Sequence, residues 1–235
     1  DKDAKYMFDR IGKEVHDEVK NAANVFKDYL KGNLTISTIF GEETVAFTDP
    51  CELIKEKRDE LLAARGDPCG KDGTGKEHRF SKERGAECDK NKIEGNVRSK
   101  GKGGKSAGAC APYRRLSLCN KNFPNMNSKD SLKAKNDLLV DVCYAAKYEA
   151  ESLIPYHDQY KLTYGDSQIC TVLARSFADI GDIVRGKDLF LGHNQRKKKL
   201  EERLEQMFKN ITHSNAAKLS VLSSKEIREY WWTLN

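Results

Sequence analysis

From Tyr6 to Lys31 apolar residues return every three or four positions, at Phe8, Ile11, Val15, Val19, Ala22, Phe26 and Tyr29. That spacing lines them up on one face of an amphipathic helix, which Gly32 closes. Seven acids and seven bases balance over residues 1–31, as on a solvated opposite face. The stripe predicts that this helix lies on the domain that follows. Residues 33–127 keep neither a helical nor a strand period. Their short apolar stretches are separated by Gly, Asn, Asp, Ser and Pro, and one short helix is predicted near Leu53 to Ala64.

After Asn127 the helical period returns. Ser128 or Ser131 can cap a helix using Leu132, Leu139, Val142, Cys143 and Ala146. Asp166 or Ser167 can cap a second, carrying Ile169, Val172, Leu173, Phe177, Ile180 and Val184. Asn194 can begin a third, with Leu200, Leu204, Phe208 and Ile211 on one face. Ser223 and Glu226 form a capping box that opens a fourth through Ile227, Tyr230 and Trp231. Gly181 and Gly186 suit a close helix contact or a helix end.

Irregular backbone of the length of 33–127 needs fasteners. Five of the seven cysteines fall there: Cys51, Cys69, Cys88, Cys110 and Cys119, with Cys143 and Cys170 on the helices beyond. No pair has the close spacing of a zinc site, and no histidine stands near a cysteine in finger spacing, so disulfides in an oxidising compartment are the expected use of all seven positions. An odd count leaves at least one thiol unpaired or bonded outside the chain. Asn33-Leu34-Thr35 and Asn210-Ile211-Thr212 fit the glycosylation acceptor pattern, which alone decides nothing. No run of 18 apolar residues is present.

Charge changes the picture at one place. Of the net +6 over 235 residues, the segment 90–115 supplies more than all: Lys90, Lys92, Arg98, Lys100, Lys102, Lys105, Arg114 and Arg115 stand against Glu94 alone. Attraction for a polyanion is therefore expected to be local, with Arg196, Lys197, Lys198 and Lys199 as a second, partly neutralised run beside Glu201 and Glu202. The stretch GNVRSKGKGGKSAGACAPYRR imitates a phosphate-binding loop. The position five before Gly104 is Ser99, however, and no strand and helix flank it, so a nucleotide site is excluded. Asp179, Asp182 and Arg185 share a helix face as ordinary surface partners would, and no histidine has a patterned nucleophile beside it. Neither an enzyme nor a cofactor or metal site is expected.

At RFSKERGAECDKNKIEGN, GACAPYRRLSLCN, LLVDVCYAAKYEA and CTVLARSFADIGDIVRGKDLFLG, in order between Arg79 and Gly192, and again at IREYWW, the chain resembles a Duffy-binding-like domain of the alpha class. This is the head domain of the malaria-parasite erythrocyte membrane protein 1 family. The resemblance implies a mainly α Duffy-binding-like fold. Its parts are an N-terminal segment over 1–48, a disulfide-held, loop-rich first subdomain over 49–127 and a helical second subdomain over 128–235, with the third subdomain expected to lie outside this chain. It also implies an ectodomain on the infected erythrocyte, joined to the membrane only through other parts of the full-length protein. The implied partners are a host cell-surface glycan or protein receptor, heparan sulfate or heparin, red-cell glycans in rosetting, and host antibody.

Together these features point to a cytoadhesion module whose basic run attracts a sulfated glycosaminoglycan. Two other readings share the run: a variable solvated loop with receptor contacts elsewhere, and an intracellular nucleic-acid binder. The second needs no cysteine framework and would interleave aromatics for base stacking, where the run offers only Tyr113. A nucleic-acid partner is therefore not expected.

Overall fold

A computed structural model describes residues 3–41, 46–70, 93, 111–128, 130–163, 165, 168–190 and 194–235, the side chains of Tyr113 and of 194–197 aside. The described residues fold into ten α-helices without a strand, in keeping with the expected mainly α class. Residues 42–45 and most of 71–110 lie outside the description.

The longest helix, α6 (Ala134–Lys161), organises the rest. Asp130 starts it by accepting from Leu132 N at 2.9 Å, opening a 3-10 turn over Ser131–Lys133 that runs into the helix. The expected Ser cap is thus replaced. Ser128 instead donates to the Asp137 carboxylate at 2.5 Å, a stronger acceptor than a backbone group. Leu138, Val142 and Ala145 of α6 enter one core with Ile180, Val184, Leu204, Phe208, Ile227 and Trp231. Val140, Tyr144 and Tyr148 enter a second with Phe40, Leu53, Ile54 and Leu61. Burial on two faces explains why α6 lacks the one-sided stripe of a surface helix.

The first core is a packing of α6 with α7 (Ile169–Arg185), α8 (Asn194–Ser214) and α10 (Ser224–Leu234). Helix α7 starts after Gln168 without a side-chain cap, and the expected caps Asp166 and Ser167 lie outside the described residues. Gly186 ends it in the left-handed region at φ +73°, where a side chain would be strained. A Cβ at Gly181 would lie 2.7 Å from the Trp232 ring, so glycine there lets Trp232 rest directly on α7 beside Phe177. Helix α10 opens with the expected capping box, Ser223 accepting from Glu226 N while Glu226 accepts from Ser223 N. The two tryptophans find their cover earlier in the chain: Trp231 is fully buried against Phe208.

The second core is closed by α3 (Pro50–Glu56) and α4 (Arg58–Arg65), two short helices meeting at Lys57 where one was expected. Asp49 caps α3 and Pro50 occupies its first turn, where a missing N–H costs nothing. Three short helices, α2 (Lys27–Leu30), α5 (Tyr113–Leu116) and α9 (Ala216–Leu219), and at the start the long α1 (Ala4–Asn24) complete the set. Helix α1 breaks before α2, so the predicted single helix to Lys31 is two. Only the end of its stripe is covered. Ala23 and Leu30 are buried and Phe26 stacks on Tyr230 at 5.9 Å, while Phe8 is 66% and Val15 53% exposed. Asn235 locks this joint, accepting from Gly32 N at 2.6 Å and donating to Leu30 O.

Five of the seven cysteines lie among the described residues. Cys69 and Cys119 form a disulfide that fastens the two ends of the segment between them. Cys51, Cys143 and Cys170 are thiols, and Cys88 and Cys110 lie outside the described residues. Cys143 is held among the second-core side chains of α6, whereas Cys170 stands exposed on the first turn of α7 with no described cysteine bonded to it. Burial, with Cys51 nearby adding repulsion, pushes the Cys143 thiol up to about 11.

Two outcomes follow from this packing. Phe26→Asp is expected to lower the melting temperature of the whole chain, since it removes a side chain worth about 1.5–3 kcal/mol and buries a charge. Phe8→Asp is expected to leave the melt unchanged. Equal effects in a thermal scan would contradict the split in the α1 stripe.

Candidate functional site

The basic run is anchored at one place on the body. Ile93 pairs with Phe190 in a single antiparallel bridge, and Arg115 donates to Asp188 at 2.5 Å with its guanidinium over the Phe190 ring at 5.4 Å. Ile93 and Arg115 therefore both stand beside the loop that follows α7. The placement of Lys90, Lys92, Arg98, Lys100, Lys102 and Lys105 lies outside the described residues.

The two arginines that end the run are not free cations. Arg114 pairs with Asp179 at 2.5 Å and donates to Ser176 Oγ at 2.9 Å. Ser176 in turn donates to Glu149 Oε1 at 2.6 Å, and Glu149 Oε2 accepts from Cys119 N. This chain of bonds ties α5 to α7 and α6. Ion pairs so largely removed from water hold more of their Coulomb energy than exposed ones. Arg114 and Arg115 thus act in the structure as fasteners, and their charge is spent on Asp179 and Asp188.

The Asp179, Asp182 and Arg185 face is consumed in the same way. Arg185 pairs with Asp182 at 2.6 Å and with Glu229 of α10 at 3.0 Å, and Glu229 also takes Lys187. Partial burial pushes the Asp182 carboxyl up despite that partner. Among the described residues no group of three or more His, Cys, Asp or Glu is placed to hold a metal ion, and no helix is long and apolar enough to cross a membrane.

The second basic run lies on the first turns of α8. Nothing is described of the Arg196 and Lys197 side chains. Lys198 is exposed, 3.9 Å from Glu202. Lys199 is exposed and, with Arg203 one turn on, lines an open cleft of about 540 Å³ whose other wall is Arg65 and Gly66 at the end of α4, with Asn125 and Asn127. Arg203 escaped the sequence reading, which stopped at the continuous run. Its position four residues after Lys199 was the available signal.

Beneath that wall sits a buried ion pair. Arg65 Nε donates to both Asp141 oxygens at 2.9 and 3.1 Å, and its Nη2 donates to Asn127 O at 2.7 Å. Complete burial pushes the Asp141 carboxyl up to about 6, against the pull of Arg65 and of the Asn122 amide, with Asp137 adding repulsion. The folded value lies above the unfolded one near 3.9, so the native state holds this proton more tightly. The resulting stability is present below about pH 4 and is lost as pH rises through about 6, above which the carboxylate depends on Arg65.

The chain has a recognisable pedigree on this geometry. The Duffy binding domain family matches residues 108–235, which is more than half of the chain, and the chain belongs to that family. Residues 3–38 match the N-terminal segments of PfEMP1, so the domain is of the PfEMP1 kind, with its segment in front.

Solved structures agree. The double domain of NTS-DBL1α and CIDRγ from PfEMP1 of the Plasmodium falciparum varO strain is 29% identical at a TM-score of 0.63, covering 89% of this chain and 31% of its own. The NTS-DBL1α1 domain from the same strain is 30% identical at a TM-score of 0.61, covering 94% of this chain and 46% of its own. This chain thus spans less than half of either. A DBLβ domain of another PfEMP1, bound to human ICAM-1, shares the fold at 23% identity and a TM-score of 0.58. A comparison with curated proteins returns no match.

Two measurements check the roles given to these arginines. Arg114→Ala and Arg115→Ala are each expected to lower the melting temperature by several degrees, roughly 2–4 °C for each kcal/mol lost. An unchanged melt with lost ligand binding would return them to the surface. Arg65→Met is expected to cost about 3–5 kcal/mol at neutral pH by stranding an ionised Asp141. In denaturant titrations the gap to the parent should narrow as pH falls towards about 6 and level off below it, because without Arg65 the Asp141 carboxyl takes up its proton at a higher pH than in the parent. A gap that widens on acidification would contradict the raised carboxyl.

Proposed function

We propose that this chain is an adhesion module of a variant antigen displayed on infected erythrocytes, and that it engages a host receptor, foremost a sulfated glycosaminoglycan such as heparan sulfate. Membership of the Duffy binding domain family carries the reading. A structural relative in complex with human ICAM-1 supports the broader class, host receptors. The charge distribution supports the narrower one. Once Arg114 and Arg115 are assigned to Asp179 and Asp188, the remaining basic excess of the run belongs to Lys90, Lys92, Arg98, Lys100, Lys102 and Lys105.

Sulfate groups are fixed anions, and Lys and Arg offer them charge-assisted hydrogen bonds. Several cations on one segment can meet an irregularly sulfated polymer without demanding one sequence of sugars. Such binding is sensitive to salt, because the Debye length shrinks from about 10 Å at 0.1 M to about 3 Å at 1 M. Rosetting through red-cell glycans is the cellular outcome this surface suits.

Replacing Lys100, Lys102 and Lys105 with Glu is expected to lower retention on heparin sharply and to leave the melt and the Cys69–Cys119 disulfide unchanged. Retention equal to the parent's would assign the segment to passive surface.

A further inference from the structure

We propose that the cleft between α8 and the end of α4 is a discrete subsite for an anionic sugar group, sulfate or carboxylate, held by Lys199 and Arg203. The inference deepens the glycan-binding reading above and rests on it. Its ground is a local imbalance. Lys199 and Arg203 stand at i and i+4 on one helix, a spacing at which like charges repel by about 0.2–0.5 kcal/mol. Neither has a carboxylate partner among the described residues, although Lys198 and Arg228 on either side of them in the fold are matched by Glu202 and Glu201.

The facing wall does not supply the missing counter-charge. No carboxylate lines it among the described residues, and three of its carbonyls are already committed: Arg65 O accepts from Asn125 Nδ2 at 2.8 Å, Asn127 O from Arg65 Nη2 and Leu62 O from Gly66 N. The Arg65 guanidinium is itself bound to Asp141 below. What the wall leaves exposed are the neutral side chains of Ala63, Ala64, Asn125 and Asn127, the last two with amides to offer. Amides of this kind exchange hydrogen bonds with sugar hydroxyls while the two cations hold the anion. At about 540 Å³ the cleft falls within the usual span of small-ligand sites, about 300–1,000 Å³, which suits a short oligosaccharide. It is also built on rigid parts. Leu204 and Met207 bury the back of α8, and the disulfide-bonded Cys119 stands a few residues before Asn125.

The test uses the whole chain and two probes of equal length, a heparin hexasaccharide and a hyaluronan hexasaccharide, which carries carboxylates without sulfates. Lys199→Glu with Arg203→Glu is expected to weaken heparin-fragment binding at least about tenfold, the loss of two charge-assisted contacts, with an unchanged melt. The Gln pair at the same positions gives the same direction without adding acids. Lys209→Glu with Lys218→Glu makes an equal change in net charge elsewhere and is expected to weaken binding by less than about threefold. Hyaluronan binding that is lost in the same variant assigns the anion to carboxylate, and its absence in the parent assigns it to sulfate. Equal losses from the cleft pair and the control pair would overturn the subsite. So would full binding by the cleft pair when the Lys100, Lys102 and Lys105 variant has lost it, an outcome that leaves the glycan reading standing. A parent chain that binds no heparin fragment at all would overturn both.

Discussion

Two carboxylates on one buried turn of α6 hold the earlier segments of the chain against that helix. Asp137 and Asp141 are both fully buried, one helical turn apart. Asp137 accepts from Ser37 Oγ, Thr38 N, Thr38 Oγ1 and Ser128 Oγ, which fixes the segment after α2 and the entry to α6 itself. Asp141 takes Arg65 from α4 and Asn122 from the strand of chain before α6. Buried charges of like sign so close are costly unless each is surrounded by donors, and here the donors come from separate places earlier in the chain: Ser37, Thr38 and Ser128 for Asp137, Arg65 and Asn122 for Asp141. Satisfying the two acids therefore specifies where those segments lie. Apolar burial then fills in around them, on both faces of the helix.

The same logic separates the molecule's cations by role. Arg65, Arg114, Arg115, Arg185 and Arg228 are drawn inward to carboxylates on neighbouring helices, and Arg228 also caps the end of α7 by donating to Val184 O and Ile183 O. Arginine suits that work, since its planar fork satisfies several acceptors at once and loses less hydration than an ammonium. Lysines such as Lys198, Lys199 and Lys209 remain in solvent. Arg203 at the cleft stays in solvent with them, as do Arg10 and Arg175 elsewhere.

Much of this was legible in the sequence, and the misses share a physical cause. The helical periods, the Ser223 and Glu226 box, the start of α8 at Asn194 and the packing roles of Gly181 and Gly186 are local properties, and family resemblance supplied the fold. Asp137 and Asp141 carried no signal because nothing local reveals donors that come from as far as 76 and 100 residues earlier. Charge counting put Arg114 and Arg115 with the lysines for the same reason. The α1 stripe was seen, but a period cannot tell which of its turns will meet α10. The partners of the cysteines were not legible, since spacing does not report which sulfurs face each other. The cleft was invisible because α4, residues 125–127 and α8 meet only in the folded chain.

The central claim is that the cations divide into structural arginines turned inward and solvent-facing lysines that bind an anionic glycan. Lysine acylation footprinting with and without bound heparin tests that division directly, peptide by peptide. The account predicts protection of Lys100, Lys102, Lys105 and Lys199 by heparin, with Lys209 and Lys218 labelled equally in both states. Unchanged labelling of the first four, with protection confined to lysines elsewhere, would contradict it.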